Sequence, residues 1–597
     1  MAKKLIDILD TTFRDGFQSV FGGRVLSQDF FPAVEAAKYA GISHFEFGGG
    51  ARFQSLFFYL NENAFDMMDR FREIVGPEAN LQTLARGVNT ILLDTGSSDL
   101  IDLHAKLFKK HGTTTIRNFD ALNDVENLKF SGSCIKKHGL KHEVVVTIMD
   151  LPPGCKGAHD VAFYEKTLRD ILDAGIECDS VCFKDASGTA TPHKIFETIL
   201  MAKKLLPENI HVRLHTHETA GVSVSSYIAA LEAGADGIDL AASPVSGGTS
   251  QPDILTLLHV TKGSKYDLGG LDIKKVLEYE ETLKDCLKDY FIPPEATQVS
   301  PLIPFSPMPG GALTANTQMM RDNNILDKFP DVIKAMQEVV EKGGYGTSVT
   351  PVSQFYFQQA FNNVMYGPWK KIADGYGKMV LGYFGKTPVA PHSEIVELAS
   401  KQLKLSPTTR SAREIADEDE KKSLAYFENM LKENDLEVTE ENIFIVAACD
   451  VKGIAFLKGE ATVNVRKNSD ETSANSEVNA SIEGAYTIVA NGVSYNVDII
   501  KGHNAKNNTP AQTVSSPAPS ISSANQGSTQ INSQMPGNVW KIVANTGDEL
   551  KEGDVIMILE AMKMEIEITA PKDGVLKSID VSQNQVVKEG QLLATME

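Results

Sequence analysis

The chain is 597 residues long, 42% hydrophobic, and carries a formal net charge of −20. At about 150 residues per domain this is three or four units rather than one core, and the acidic balance argues against a nucleic-acid partner. No apolar run reaches the roughly 18 residues of a membrane span, and MAKKLIDILD lacks the apolar core and cleavage site of a signal peptide. The cysteines (Cys134, Cys155, Cys178, Cys182, Cys286, Cys449) show no disulfide-like spacing, so a reducing, cytoplasmic setting is expected.

Up to about residue 268, short apolar runs alternate with amphipathic stretches. The strand candidates are KLIDILD, HFEFGG, NLQTLAR, TTIRNF, HEVVVTIMD, DSVCFKD, HVRLHTH and GIDLAAS. Helix-like pieces such as DFFPAVEAAKYAG and VAFYEKTLRDILDAG lie between them, closed by glycine in the manner of a helix C-cap. Eight β/α units in this length predict a (β/α)8 barrel over 1–268, with a doubly wound open sheet as the alternative.

Residues 269–465 read mostly as helix and 466–502 as a small β segment, while 503–534 collapse to Asn, Ser, Pro, Ala, Gln and Thr. That composition predicts a flexible linker, whose roughly 30 residues have an r.m.s. span of about 30 Å. In 535–597 the segment from Gly537 is echoed from Gly574, with Gly553 matching Gly590, which predicts two β-halves related by a pseudo-twofold. The joining run ILEAMKMEIEI then forms an exposed hairpin presenting Lys563 between Met562 and Met564.

In the barrel, period-two alternation puts His215 and His217 of HTHE on one face of strand seven. Residues at the C-terminal ends of barrel strands point into the active site, and two imidazoles there are half of a metal site. An H-x-H pair alone more often serves packing. Asp15, just past strand one, Lys184, ending strand six, and Arg86, ending strand three, arrive at the same rim. A carboxylate with two histidines suits a divalent metal, and an arginine fork suits a carboxylate substrate.

EAMKM resembles the biotinyl-domain signature, whereas the lysine of lipoyl domains usually follows Asp. DTTFRDGFQS, KDASG and HTHETAG resemble the biotin-dependent carboxyltransferase family, which includes pyruvate carboxylase, the oxaloacetate decarboxylase α subunit and the transcarboxylase central subunit. The resemblance runs over nearly the whole chain. It implies biotin on Lys563, and a divalent metal (Zn, Mn or Co) held by Asp15, His215, His217 and a carbamylated Lys184. It places Arg14 and Gln18 beside substrate and biotin, and sets Arg86 on the keto acid's carboxylate. MPGGALTANT resembles the family's MPGG…T segment and points to Thr314 as a proton shuttle. Two positions depart from the pattern. Gly48-Gly49-Gly50 stands where Trp-Gly-Gly is usual, and Leu93 stands where a pocket tyrosine is usual.

The reaction so implied moves a carboxyl group between carboxybiotin and a 2-oxo acid, with pyruvate and oxaloacetate as the leading pair. No ATP-binding domain is evident, so the resemblance implies a pyruvate carboxylase of the two-subunit kind, with a separate ATP-dependent biotin carboxylase subunit. It also implies a biotin protein ligase and barrel dimers. Membrane Na+-pumping decarboxylase subunits are the alternative partners, and a 2-oxoglutarate carboxylase stays open because of Gly48 and Leu93. From other classes there remain a metal-dependent lyase or synthase of the HMG-CoA lyase and isopropylmalate synthase group, and a carrier with an inert barrel.

Overall fold

The computed structural model describes residues 3–468, 484–490, 493–499, 529–533, 537–561, 564–583, 585–588 and 590–597. The chain divides into two compact units, Met1–Gln318 with Ile325–Lys467, and Met319–Asn324 with Asn468–Glu597.

In the first unit, β1 (Lys4–Asp10), β2 (His44–Gly49), β3 (Asn80–Ala85), β4 (Thr115–Asn118), β5 (Lys141–Thr147), β6 (Ser180–Asp185), β7 (His211–Thr216) and β8 (Gly237–Leu240) pair in parallel in chain order. β1 pairs with β8 on one side and β2 on the other, so the sheet closes and the open doubly wound alternative is excluded. Strand alternation explains the layering. Val144, Val146, Val181, Phe183, Val212, Leu214 and Ile238 all join the hydrophobic layer under the surrounding helices, while Arg117, Glu143, Arg213 and Asp239 occupy the intervening, inward positions.

Those inward residues fill the barrel with charge. Arg117 Nε is 2.5 Å from Glu143 and its Nη1 2.5 Å from Asp239, and Arg213 is 3.1 Å from Asp239 and 3.5 Å from Glu143. Arg213 also pairs with Asp7, which meets His44 at 2.8 Å. Buried charges survive only when paired and hydrogen-bonded, and here each has an opposite neighbour.

After β8 the chain continues through the helix Ile273–Leu287 into a mostly helical region that includes Gly310–Asp322, Phe329–Lys342 and Val352–Tyr366. Part of this region returns to the barrel. Thr347 N donates to Ala121 O at 2.8 Å and the His159 ring contacts Tyr345 O at 2.8 Å, while within the region itself Ser348 Oγ donates to Pro307 O at 2.6 Å. All six cysteines are free thiols. No helix among the described residues is long and apolar enough to cross a membrane.

The second unit contains two four-stranded antiparallel sheets, each drawing strands from both sequence repeats. Gly553 and Gly590 take the same left-handed conformation, φ 93° and 78°, at equivalent turns. Val539, Ile556, Leu559, Leu576, Val587 and Leu593 form its buried interior. Strands Val555–Ala561 and Met564–Thr569 pair antiparallel with Ala561 opposite Met564. Met562, Lys563 and most of 503–534 lie outside the described residues.

Candidate active site

The C-terminal ends of the barrel strands gather the expected groups around a cavity of about 40 Å³. It is lined by Arg14, Asp15, Gln18, Arg86, Lys184 and His217, with apolar walls from Leu84, Phe119 and Ala186. Pro309, Gly311, Ala312, Val349 and Thr350 complete the lining from beyond the barrel.

β6 and β7 are in register, with Lys184 opposite His215. Asp15 comes from a tight helical turn, Thr12–Gly16, directly after β1. Asp15 Oδ2 lies 3.3 Å from both His215 Nε2 and His217 Nε2, and the two Nε2 atoms are 3.1 Å apart. Among the described residues this is the only cluster of three His, Cys, Asp or Glu donors close enough to share a cation. The other ring nitrogens set the tautomers. His215 Nδ1 is 2.8 Å from Asp239 Oδ2 and His217 Nδ1 is 2.7 Å from Thr249 O, so both Nδ1 atoms donate and both Nε2 atoms are left as lone pairs. Two lone pairs and a carboxylate oxygen converge on one point. That arrangement is repulsive unless a cation or a donated proton sits among them, so the residues fit a divalent metal.

Lys184 Nζ is 2.7 Å from His215 Nε2 and 3.8 Å from Asp15 Oδ2. As an ammonium it competes with a metal for the imidazole; as a carbamate it would add an anionic oxygen. Burial holds the Lys184 amine below its usual range, which favours the neutral form that takes up CO2. Burial pushes Asp15 up, but the Arg14 guanidinium beside it outweighs this and keeps the carboxylate well below its usual range.

The two arginines differ. Arg14 is charge-paired, with Nη2 2.7 Å from Glu46 Oε1 and Nη1 3.3 Å from Asp15 Oδ1, and only its Nε is left without a partner among the described residues. Arg86 is 3% exposed and has no carboxylate partner among the described residues. Its Nη1 donates to the carbonyls of Ile91 and Leu92 at 2.5 and 3.1 Å, while Nε has no acceptor. Burial, with Arg14 nearby, pushes its pKa down to about 9. A buried guanidinium with an unused edge facing a cavity is a receptor for an oxyanion. Gln18 Oε1 is likewise buried without a donor.

Thr314 lies in the helix Gly310–Asp322 and is fully buried, its hydroxyl 3.4 Å from that of Thr249. It is not among the residues lining the cavity; its neighbours Gly311 and Ala312 are. Leu93 is 44% exposed and does not line the cavity either. A side chain at Gly48 would point at Thr83 and Met68, away from the cavity, whereas a Cβ at Gly50 would lie 3.6 and 3.7 Å from Gln18 Oε1 and Arg86 Nη2.

Two residues of the site carry no motif in the sequence. Asp239, in β8, orients His215. Gln251, in the loop after β8, contacts both Asp15 and His217 at 3.0 Å.

Comparison with known proteins agrees with this architecture. Residues 303–504 match a conserved carboxylase domain, and residues 529–596 match the biotin-requiring enzyme domain. A pyruvate carboxylase subunit of Methanocaldococcus jannaschii is 28% identical over 564 residues, 94% of each chain. The 2-oxoglutarate carboxylase large subunit of Hydrogenobacter thermophilus is 28% identical over 95% of this chain and 91% of its own. The carboxyl transferase domain of Rhizobium etli pyruvate carboxylase, solved with pyruvate, superposes with a TM-score of 0.68 at 23% identity, covering 76% of each chain, a likeness of fold. Barrel, rim chemistry and carrier domain together define a carboxyl-transferring enzyme. Over nearly its whole length the chain is similar to subunits of biotin-dependent carboxylases, and it matches both a carboxylase domain and a biotin-requiring domain.

Proposed function

We propose that this chain moves a carboxyl group between biotin on Lys563 and a 2-oxo acid, with pyruvate and oxaloacetate as the exchanged pair. The observation that carries the reading is Arg86, a buried cation without a counter-ion among the described residues, lining the same small cavity as Asp15, Lys184 and His217. Two archaeal relatives named as pyruvate carboxylase subunits, aligned over 94% of the chain, support the choice of pyruvate.

In this reading Asp15, His215, His217 and the carbamate of Lys184 hold a divalent cation, which when bound supplies Lewis acidity to the keto oxygen. Arg86 fixes the substrate carboxylate through its free edge. Arg14, locked by Glu46, and Gln18 orient the incoming carboxyl donor. Thr314 carries the proton between the substrate methyl and the donor. Its hydroxyl starts from hydrogen-bond range of Thr249, so the shuttle includes a rotation toward the cavity. The apolar walls Leu84, Phe119, Ala186 and Val349 limit water around the reacting carbons.

Those two relatives are each named as one subunit of a pyruvate carboxylase, which supports a separate ATP-dependent biotin carboxylase as the partner that charges the carrier. The biotin-requiring domain over 529–596 supports a biotin protein ligase as the enzyme that modifies Lys563. The test is oxaloacetate decarboxylation by the biotinylated chain alone, blocked by avidin, with oxalosuccinate in parallel. Avidin-sensitive release of pyruvate is the expected result. Turnover of oxalosuccinate alone would move the assignment to 2-oxoglutarate, and activity on neither would remove it.

A further inference from the structure

The loop between β8 and the helix Ile254–Val260 grips His217 from both sides. Thr249 O takes the proton of Nδ1 at 2.7 Å, and Gln251 Nε2 approaches Nε2 at 3.0 Å. The same amide nitrogen donates to Asp15 Oδ2 at 3.0 Å. Its two hydrogens are therefore spent on the two atoms that face the cation position. On the other side, Gln251 Oε1 accepts from Thr11 Oγ1 at 2.7 Å and Ser250 Oγ at 3.2 Å.

This pattern fixes which way the amide points. Turned over, its oxygen would face the Asp15 carboxylate and the His217 lone pair, with no hydrogen to offer either. Gln251 is fully buried, so neither arrangement has water to compensate. The loop itself has little freedom. Gly248 has φ 52°, and a Cβ there would lie 2.3 Å from Ala296 O; Glu218 N also donates to Ser250 O at 2.8 Å.

We infer that Gln251 is a positioning residue of the cation site, an amide latch on Asp15 and His217 that keeps both ligand atoms aimed at one point and yields His217 when the cation enters. The inference rests on the metal reading given above. In the cation-free chain the amide separates a carboxylate oxygen from an imidazole lone pair that would otherwise be unscreened. With a cation held at His217 Nε2, one amide hydrogen would be released and the other would stay on Asp15, keeping that carboxylate from rotating away. Partners of this kind are worth about 10- to 100-fold in metal affinity.

The test uses the full biotinylated chain, stripped of metal with a chelator and titrated with Co2+ against a chromogenic competitor. Wild type, Gln251→Leu and Thr11→Val are compared, with circular dichroism as the check on folding. The expected result is a Co2+ dissociation constant raised about 10- to 100-fold in Gln251→Leu, with an altered Co2+ absorption spectrum. Thr11→Val, which removes the hydroxyl behind the amide together with its contact to Leu240 O, shifts it in the same direction by a smaller factor. Wild-type affinity and spectrum in both variants overturns the inference. If Gln251→Leu does not fold, Thr11→Val alone decides, an unchanged constant counting against the latch. Failure of the wild type to bind Co2+ overturns the metal reading itself, and the latch with it.

Discussion

His215 Nδ1 lies 2.8 Å from Asp239 Oδ2, and both side chains are fully buried. Burial pushes the Asp239 carboxyl up, but Arg117, His215 and Arg213 outweigh it and hold it well below its usual range, so it stays an anion. Asp239→Asn leaves Arg117 and Arg213 short of a counter-charge and no longer dictates the His215 tautomer. The expected outcome is a loss of about 3–5 kcal/mol in folding stability, read by denaturant unfolding. Metal titration of the folded fraction should show weakening of about 10- to 100-fold.

Arg86 offers a cleaner separation of binding from folding. Arg86→Lys keeps the charge but loses the planar fork, and Arg86→Met loses both. Each hydrogen bond to a charged group is worth about 1.5–3 kcal/mol, so kcat/KM for the keto acid should fall by at least about tenfold in the first and about a hundredfold or more in the second. Melting curves give an independent readout. An oxyanion such as oxalate at about 100 times its Kd stabilises a folded protein by roughly 2.7 kcal/mol, and this gain should vanish in Arg86→Met.

The neighbourhood of Gly50 should control the keto-acid pocket, and Leu93 should not. Gly50 has φ 55° and faces Gln18 and Arg86. Gly50→Ala therefore combines backbone strain of about 1 kcal/mol with crowding at the arginine, and should raise KM. Leu93→Ser, at an exposed position, should leave KM unchanged and stability within about 0.5 kcal/mol. Steady-state kinetics on the two variants checks both statements.

Acid lability is expected from His104. It is 3% exposed, its ring lies 4.2 Å from the Phe108 ring, its Nε2 has no hydrogen-bond partner among the described residues, and burial pushes its pKa down to about 3. The unfolded chain binds a proton on this residue below about pH 6.5, and the folded chain does not until near pH 3. Its contribution is therefore present above pH 6.5 and is lost as pH falls from there, by about 1.4 kcal/mol per unit. His104→Leu should flatten that part of the slope when unfolding free energies are compared between pH 7 and pH 5.

Much of this molecule was legible in its residues, for identifiable reasons. All eight strands were readable because their outward positions, such as Val212 and Leu214 or Val144 and Val146, are continuously apolar and bounded by polar turns. Asp15, Lys184, His215 and His217 were readable because chemistry-bearing residues cluster where strands end. Asp239 left a weaker trace, a charge inside the short strand Gly237–Leu240, as did Arg117 in Thr115–Asn118. Charged residues at inward strand positions are the sign of an ionic barrel interior, but a single sequence does not reveal which pairs meet. Gln251 left no trace, because a glutamine in a loop has no period and only the fold brings it to His217. Leu93 was expected in the pocket by analogy, and the chain turns it outward because Arg86 draws the carbonyls of Ile91 and Leu92 inward.

The cavity has two owners. One side is barrel, carrying Asp15, Arg86, Lys184 and His217; the other is the returning chain, carrying Pro309, Gly311, Ala312, Val349 and Thr350. Ser348 clips those two returning segments to each other at Pro307, and Thr347 clips them to the barrel at Ala121. Reactivity thus resides in one stretch of sequence and the shape of the reactant's berth in another. A barrel cut off before the returning segments would keep its ligands and its arginine and still have no room defined for a keto acid. Exchanging the returning segments between relatives is accordingly the direct route to a new substrate on an unchanged catalytic rim.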